Sequence, residues 1–112
     1  MCLFCKIVAR AIPSDIILEN DHVLAFKDVN PVAPAHALVI PKKHIVGIGE
    51  ATREEAAILS EVLLAAPAVA AKLAIATTGY RLVLNNGADA GQSVFHMHLH
   101  VMGGRPMKWP PG

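Results

Sequence analysis

Three histidines alternate with apolar residues in the stretch His96-Met97-His98-Leu99-His100-Val101-Met102. Imidazole titrates near neutral pH and serves as nucleophile, proton carrier or metal ligand. An alternation of period two belongs to a β-strand, on which successive side chains point to opposite faces. The spacing predicts a strand with His96, His98 and His100 on one face and Met97, Leu99 and Val101 on a core face. Alternate residues on a strand lie roughly 6.5–7 Å apart, so neighbouring imidazoles sense each other's charge. That crowding disfavours a second positive charge. At least one ring then stays neutral, and its bare nitrogen can attack phosphorus or bind a metal. A polar strand face that merely uses histidine is the competing account. Strict alternation on an otherwise apolar segment weighs against it.

The rest of the chain supplies elements to position these rings. Cys2 to Ala11 is predicted as a short helix with Phe4, Ile7 and Val8 as its apolar face, stopped by Pro13. Cys2-x-x-Cys5 is half of a possible zinc site. Residues 16–20 and 22–27 are predicted as a hairpin around Asn20-Asp21, a pair suited to a tight turn. Asp28 ends the second strand, where Pro31 and Pro34 force an extended loop. A carboxylate there can accept hydrogen bonds from sugar hydroxyls, or simply cap a turn. His36 to Pro41 is a third strand, buried by its composition, after which Lys42-Lys43-His44 leaves the sheet. Thr52 and Glu55 form a capping box for a helix expected to run to about Ala76. Its stripe is Leu59, Val62, Leu63, Ala66, Val69 and Leu73, with a kink expected at Pro67. Tyr80 to Leu84 is a fourth strand. The polar loop Asn85 to Ser93 then leads into the histidines, and its glycines allow backbone amides to approach an anion. The ending Gly103 to Gly112 is too proline-rich for regular structure. Trp109 within it needs burial, on its own subunit or on a partner's.

Length and composition set bounds. A chain of 112 residues reads as a single domain, 1–112, small enough that dimerising to bury more surface is plausible. A net charge of +1 offers no broad field for nucleic acid, though a small anion in a local pocket is allowed. The start lacks the basic-then-apolar pattern of a signal peptide, and the apolar run Val62 to Ala76 is too short to span a bilayer. A cytoplasmic protein that binds neither membrane nor nucleic acid is expected. Its two cysteines are then unpaired.

The segments Phe4-x-Lys6-Ile7, Ala33-Pro34-x-His36, Ile40-Pro41-Lys42-Lys43-His44, Gly91-Gln92-Ser93-Val94-Phe95, His96-x-His98-x-His100 and Trp109-Pro110-Pro111-Gly112 together resemble the histidine triad (HIT) superfamily, in its nucleotide-binding branch. The resemblance covers nearly the whole chain. It implies an α+β, HIT-like fold: a five-stranded antiparallel sheet with two helices per subunit, continued across a homodimer. It implies binding of purine nucleoside monophosphates and hydrolysis of phosphoramidates such as adenosine phosphoramidate or adenylated lysine. By position, His98 matches the nucleophile, His100 and His36 the supporting histidines, and Asp28 the ribose-binding carboxylate. Phe26 and Val29 match the base pocket. Asn85, Gly91, Gln92 and Ser93 match contacts to phosphate and leaving group. Members with an early Cys-x-x-Cys resemble a zinc-carrying subset, whose ligands match Cys2, Cys5, His44 and His96. Such a closed tetrahedral set is structural.

The chemistry of the residues agrees with this. His98 would attack the α-phosphorus and displace an amine, and water would cleave the nucleotidyl-histidine. Amides of Gly91 to Ser93 and a protonated His100 would offset phosphoryl charge. Ser93 would assist the departing nitrogen and His36 would hold the proton inventory. No magnesium is required. Three alternatives stand beside it: one catalytic zinc on His96, His98 and His100, a non-catalytic nucleotide-binding or interaction protein of the same fold, and a dinucleotide polyphosphate hydrolase.

Overall fold

The computed structural model describes residues 2–112. Strands β1 (Ile16–Glu19), β2 (Val23–Lys27), β3 (Ala35–Pro41), β4 (Tyr80–Leu84) and β5 (Leu99–Gly103) form one sheet, with helices α1 (Leu3–Val8) and α2 (Ala56–Lys72). The strand order is β1-β2-β3-β5-β4, every neighbouring pair antiparallel. This is the expected α+β architecture of a five-stranded sheet and two helices. The first hairpin turns where the sequence places it. Asn20 Oδ1 accepts the amides of His22 at 2.8 Å and Val23 at 3.0 Å, so the side chain closes the turn itself.

The two-residue period of the strands assigns the two faces. Odd-numbered Val23, Ala25, Ala37, Val39, Leu99 and Val101 pack against Val62, Ala65, Ala66, Val69 and Ala70 of α2. Even-numbered Leu24, Phe26, Leu38 and Ile40 pack against Phe4 and Ile7 of α1. The register aligns Phe26 with Leu38 and Leu38 with His100, one cross-strand row on the α1 face. His36 and His100 share that parity, so the sheet turns both toward α1 and away from the α2 core.

Several boundaries depart from expectation. The histidine segment is not one strand: β5 begins only at Leu99, and residues 96–98 approach it irregularly. The cause is a competing partner, since the Met97 amide donates to the Ile45 carbonyl at 2.6 Å rather than to a sheet neighbour. Helix α1 ends at Val8, well before Pro13, because Arg10 enters the left-handed region (φ 61°) and the Ala11 amide closes on the Lys6 carbonyl at 2.8 Å. Helix α2 begins at Ala56 after a 3-10 turn at Arg53–Glu55, and the Glu55 carboxylate accepts the Thr52 amide at 2.8 Å as a capping box should. It runs through Pro67 without interruption and stops at Lys72. Leu63, placed on the buried stripe by its spacing, is 54% exposed beside Leu64 at 71%. The buried stripe is built from smaller residues, Ala65, Ala66 and Ala70 with Val62 and Val69, which lets α2 lie close on the sheet. No helix among the described residues is long and apolar enough to cross a membrane.

Candidate active site and metal centre

Beneath α1 lies a cavity of about 310 Å³ walled by Leu3, Phe4 and Ile7 of α1, Ile12 to Ser14, Phe26, Asp28 to Asn30, Leu38, Ser93, Val94, His98 and His100. It falls in the range of small-molecule sites, mostly apolar with a few convergent polar groups. The polar groups gather at one end. Their hydrogen bonds settle which ring nitrogens carry protons. His98 Nδ1 is 2.9 Å from the His96 carbonyl oxygen, which can only accept, so Nδ1–H donates and Nε2 of the neutral ring is bare. The Val32 amide donates to His36 Nδ1 at 3.1 Å. The His36 proton therefore sits on Nε2, which donates to His100 Nδ1 at 2.9 Å. His100 in turn carries its proton on Nε2. Two neighbouring rings, 5.0 Å between centroids, thus offer a lone pair on one and a donor on the other. A group attacked by the first can be hydrogen-bonded by the second.

Electrostatics sustain this state. Burial pushes His100 down to about 4, with the adjacent His98 and His36 rings adding to the effect and Asp28 opposing it. Burial likewise lowers His36, against the pull of Asp28, whose Oδ2 lies 3.3 Å from His36 Nε2. This contact is a neutral ring beside a carboxylate, not an ion pair. In the free site desolvation outweighs the nearby carboxylate, so His100 is a neutral donor there.

The third ring faces elsewhere. His96 is fully buried. Its Nε2 donates to the Pro41 carbonyl at 2.8 Å, which leaves Nδ1 bare and aimed at a second cluster. There Cys2 Sγ, Cys5 Sγ, His44 Nδ1 and His96 Nδ1 lie within 4.8 Å of one another. The sulfur–nitrogen separations are 3.3 to 3.5 Å and the two nitrogens are 3.1 Å apart. A tetrahedral ion with sulfur and nitrogen ligands has edges of roughly 3.4–3.8 Å, close to these values. The fixed tautomer of His96 and its carbonyl partner are what a metal-binding histidine needs. Burial, and then the neighbouring Cys2 thiol, push the Cys5 thiol up, a cost that a bound cation removes. The donor set fits a Cys2His2 metal centre and is compatible with zinc. A single catalytic metal on His96, His98 and His100 is not supported, since their free nitrogens diverge into two sites.

A family model described as the HIT domain matches residues 9–107. The chain belongs to the HIT family. It is similar to an uncharacterized HIT-like protein of Synechocystis, 56% identical over 110 residues that cover 98% of this chain and 96% of the relative. Among solved structures it resembles a HIT family hydrolase from Legionella pneumophila, with TM-score 0.96 and 45% identity, covering all of both chains. It also resembles the histidine triad nucleotide-binding protein from Candida albicans, with TM-score 0.82 and 33% identity over 90% of this chain and 73% of the other.

In this HIT chain the sequence-predicted residues divide into groups. Phe26, Asp28, Val29, Ser93, His98 and His100 line the cavity, and His36 stands behind His100. Asn85, Gly91 and Gln92 lie outside its wall. The Gly91 amide donates to Ala88 at 2.9 Å and the Gln92 amide to Gly87 at 3.1 Å, so neither is a free donor for an anion. The Gln92 side chain is also committed. Its Oε1 accepts the Gly87 amide at 2.8 Å, and its Nε2 donates to the carbonyls of Val46 at 2.7 Å and Val94 at 3.2 Å. Gln92 staples the loop that carries Ser93. Sequence reasoning missed the whole α1 wall and the Ile12-Pro13-Ser14 rim. The apolar face of Phe4 and Ile7 was the available signal, but it indicates packing without saying against what.

Proposed function

We propose that this HIT protein is a hydrolase that binds purine nucleoside monophosphates and cleaves the phosphorus–nitrogen bond of their phosphoramidates. The observation that carries the reading is the bare Nε2 of His98 at the cavity wall, freed by the Nδ1–H bond to the His96 carbonyl at 2.9 Å. The base and sugar would occupy the apolar end, with Asp28 accepting from ribose hydroxyls. The His98 Nε2 lone pair forms a bond to the α-phosphorus as the phosphorus–nitrogen bond to the amine breaks. His100 Nε2–H hydrogen-bonds a phosphoryl oxygen, where charge builds. Ser93 Oγ–H gives its own proton to the departing nitrogen, and the water that attacks in the second step returns a proton to Ser93 Oγ. Water then displaces His98 from phosphorus and AMP leaves. In this reading these donors supply the stabilisation and the reaction requires no magnesium.

We place zinc in the Cys2, Cys5, His44 and His96 set, where it would act structurally by fixing four side chains from distant parts of the chain. A cytoplasmic, reducing setting suits these thiols. We also infer a homodimer. Leu63 and Leu64 on α2 and Leu82 on the edge strand β4 are exposed, and Trp109, 81% exposed, has the Arg81 guanidinium over its ring at 6.0 Å from the ring centre. A second copy would cover such surfaces.

Incubation with adenosine phosphoramidate, followed by acid-free quenching and intact mass measurement, tests the mechanism. Wild type should show a nucleotidyl adduct and release AMP, and His98→Ala should do neither. Equal AMP release by both proteins overturns the nucleophile assignment. Binding of AMP without turnover by wild type favours a nucleotide-binding protein of the same fold.

A further inference from the structure

Phe4 lies between the two cysteines of the metal cluster in a single turn of helix. Helix α1 has six residues, Leu3–Val8, far fewer than an isolated helix needs to hold its shape in water. Its fixed points are therefore external. One is the apolar packing of Phe4 and Ile7. The other is the Cys2-Cys5 pair, which reaches His44 and His96 on distant segments and whose Cys2 Sγ also accepts the Cys5 amide at 3.1 Å as the helix cap. From the turn between these cysteines, the Phe4 ring stands edge-on to His98, with centroids 5.2 Å apart and planes at 82°. It also meets Phe26 at 5.6 Å and forms part of the cavity wall with Leu3 and Ile7. Phe4 thus braces the His98 ring on one side and shapes the nucleoside end of the cavity on the other.

We propose that Phe4 is a positioning residue for His98, and that a metal gripped by the cysteines on either side of it tightens nucleotide binding. This rests on the function proposed above. With the cluster filled, α1 is held at both cysteines and the wall is pre-formed. With it empty, Cys2 and Cys5 are released, and nucleotide binding must also order α1. Occupancy of the two sites is then coupled. Thermodynamic linkage requires the coupling to be reciprocal: the factor by which metal tightens nucleotide equals the factor by which nucleotide tightens metal.

The test is AMP titration by calorimetry of zinc-loaded and chelator-stripped full-length protein, paired with zinc affinity measured with and without saturating AMP. We expect zinc to tighten AMP by about tenfold, and AMP to tighten zinc by the same factor. Phe4→Leu keeps an apolar side chain of similar bulk, and far-UV circular dichroism confirms its fold. In that variant the coupling should fall well below the wild-type factor while both ligands still bind. Cys5→Ser should weaken AMP as stripping does. Unchanged AMP affinity on stripping, or full coupling retained in Phe4→Leu, overturns the inference and leaves the proposed function standing. Failure of zinc to bind overturns the inference and the zinc placement but leaves the proposed hydrolase reaction standing. Failure of AMP to bind the zinc-loaded protein overturns both.

Discussion

The carbonyl oxygen of His96 accepts from His98 Nδ1–H across an N···O distance of 2.9 Å, so one histidine's backbone fixes the tautomer of another's ring. The same His96 sends its side chain to the cysteine cluster, so the backbone that sets His98 is anchored by a side chain outside the cavity. Long-range nitrogen–proton NMR should show His98 with its proton on Nδ1, and His36, His96 and His100 with theirs on Nε2. A His98 proton on Nε2 would contradict the nucleophile assignment.

The chain of donors from Val32 through His36 to His100 predicts an effect of His36 that reaches phosphate only indirectly. Without the His36 Nε2–H, His100 Nδ1 loses the donor that keeps it unprotonated. His36→Ala should then lower kcat by about 10²–10³-fold, the usual loss for one preorganised donor. KM should change far less, because His36 does not line the main cavity. A purely structural role would instead lower the melting temperature and spare the kcat of the folded fraction.

The desolvated imidazoles of His36 and His100 make stability depend on pH with a definite sign. His36 and His100 are lowered in the folded state, His100 from 6.5 to about 4. The unfolded chain therefore binds more protons between these values, and stability rises with pH. The contribution is complete above about pH 6.5 and is lost as pH falls toward 4. The melting temperature of metal-loaded protein should decline through that window, and His100→Gln should flatten the decline. A flat profile between pH 7 and 5 in wild type would contradict desolvated, neutral rings.

The staple at Gln92 yields a different signature. Its amide satisfies the Gly87 amide and the Val46 and Val94 carbonyls while only 5% exposed. Gln92→Glu keeps the acceptor and loses the donor against the carbonyls of Val46 and Val94. It should cost about 2 kcal/mol or more in denaturant unfolding. It should also raise KM, because Ser93 then rides on a loosened loop. An unchanged unfolding midpoint would show that the loop is held elsewhere.

Much of this site was legible in the sequence because side-chain type and strand period carry it. The alternation from His98 through Met102 keeps its parity, so His98 and His100 share the α1 face even though β5 starts only at Leu99. Asn20 signalled its own turn, and Thr52 with Glu55 its own cap. What escaped depends on long-range competition for backbone groups. The Ile45 carbonyl takes the Met97 amide, and nothing near residue 97 announces a partner 52 residues away. Gln92 looks like a ligand contact by type and place, yet three neighbours claim its amide before any ligand can. The end of α2 was misjudged because its left-handed residue is an alanine, whereas the usual signal there is glycine.

That alanine supports a prediction independent of the active site. Ala74 adopts φ 60° just beyond the end of α2. The Ile75 amide bonds the Ala70 carbonyl at 3.0 Å and the Ala74 amide bonds Ala71 at 3.2 Å, the paired bonds that close a helix around a left-handed residue. An alanine there carries a steric penalty of roughly 1–2 kcal/mol that glycine avoids. Glycine gives back part of the gain, about 0.4–1 kcal/mol, through the greater freedom of its unfolded chain. The methyl group is exposed, so its removal leaves no cavity. Ala74→Gly should therefore stabilise the protein by about 0.5–1 kcal/mol in urea unfolding without altering kcat or KM. A destabilised variant would show that α2 ends differently in solution.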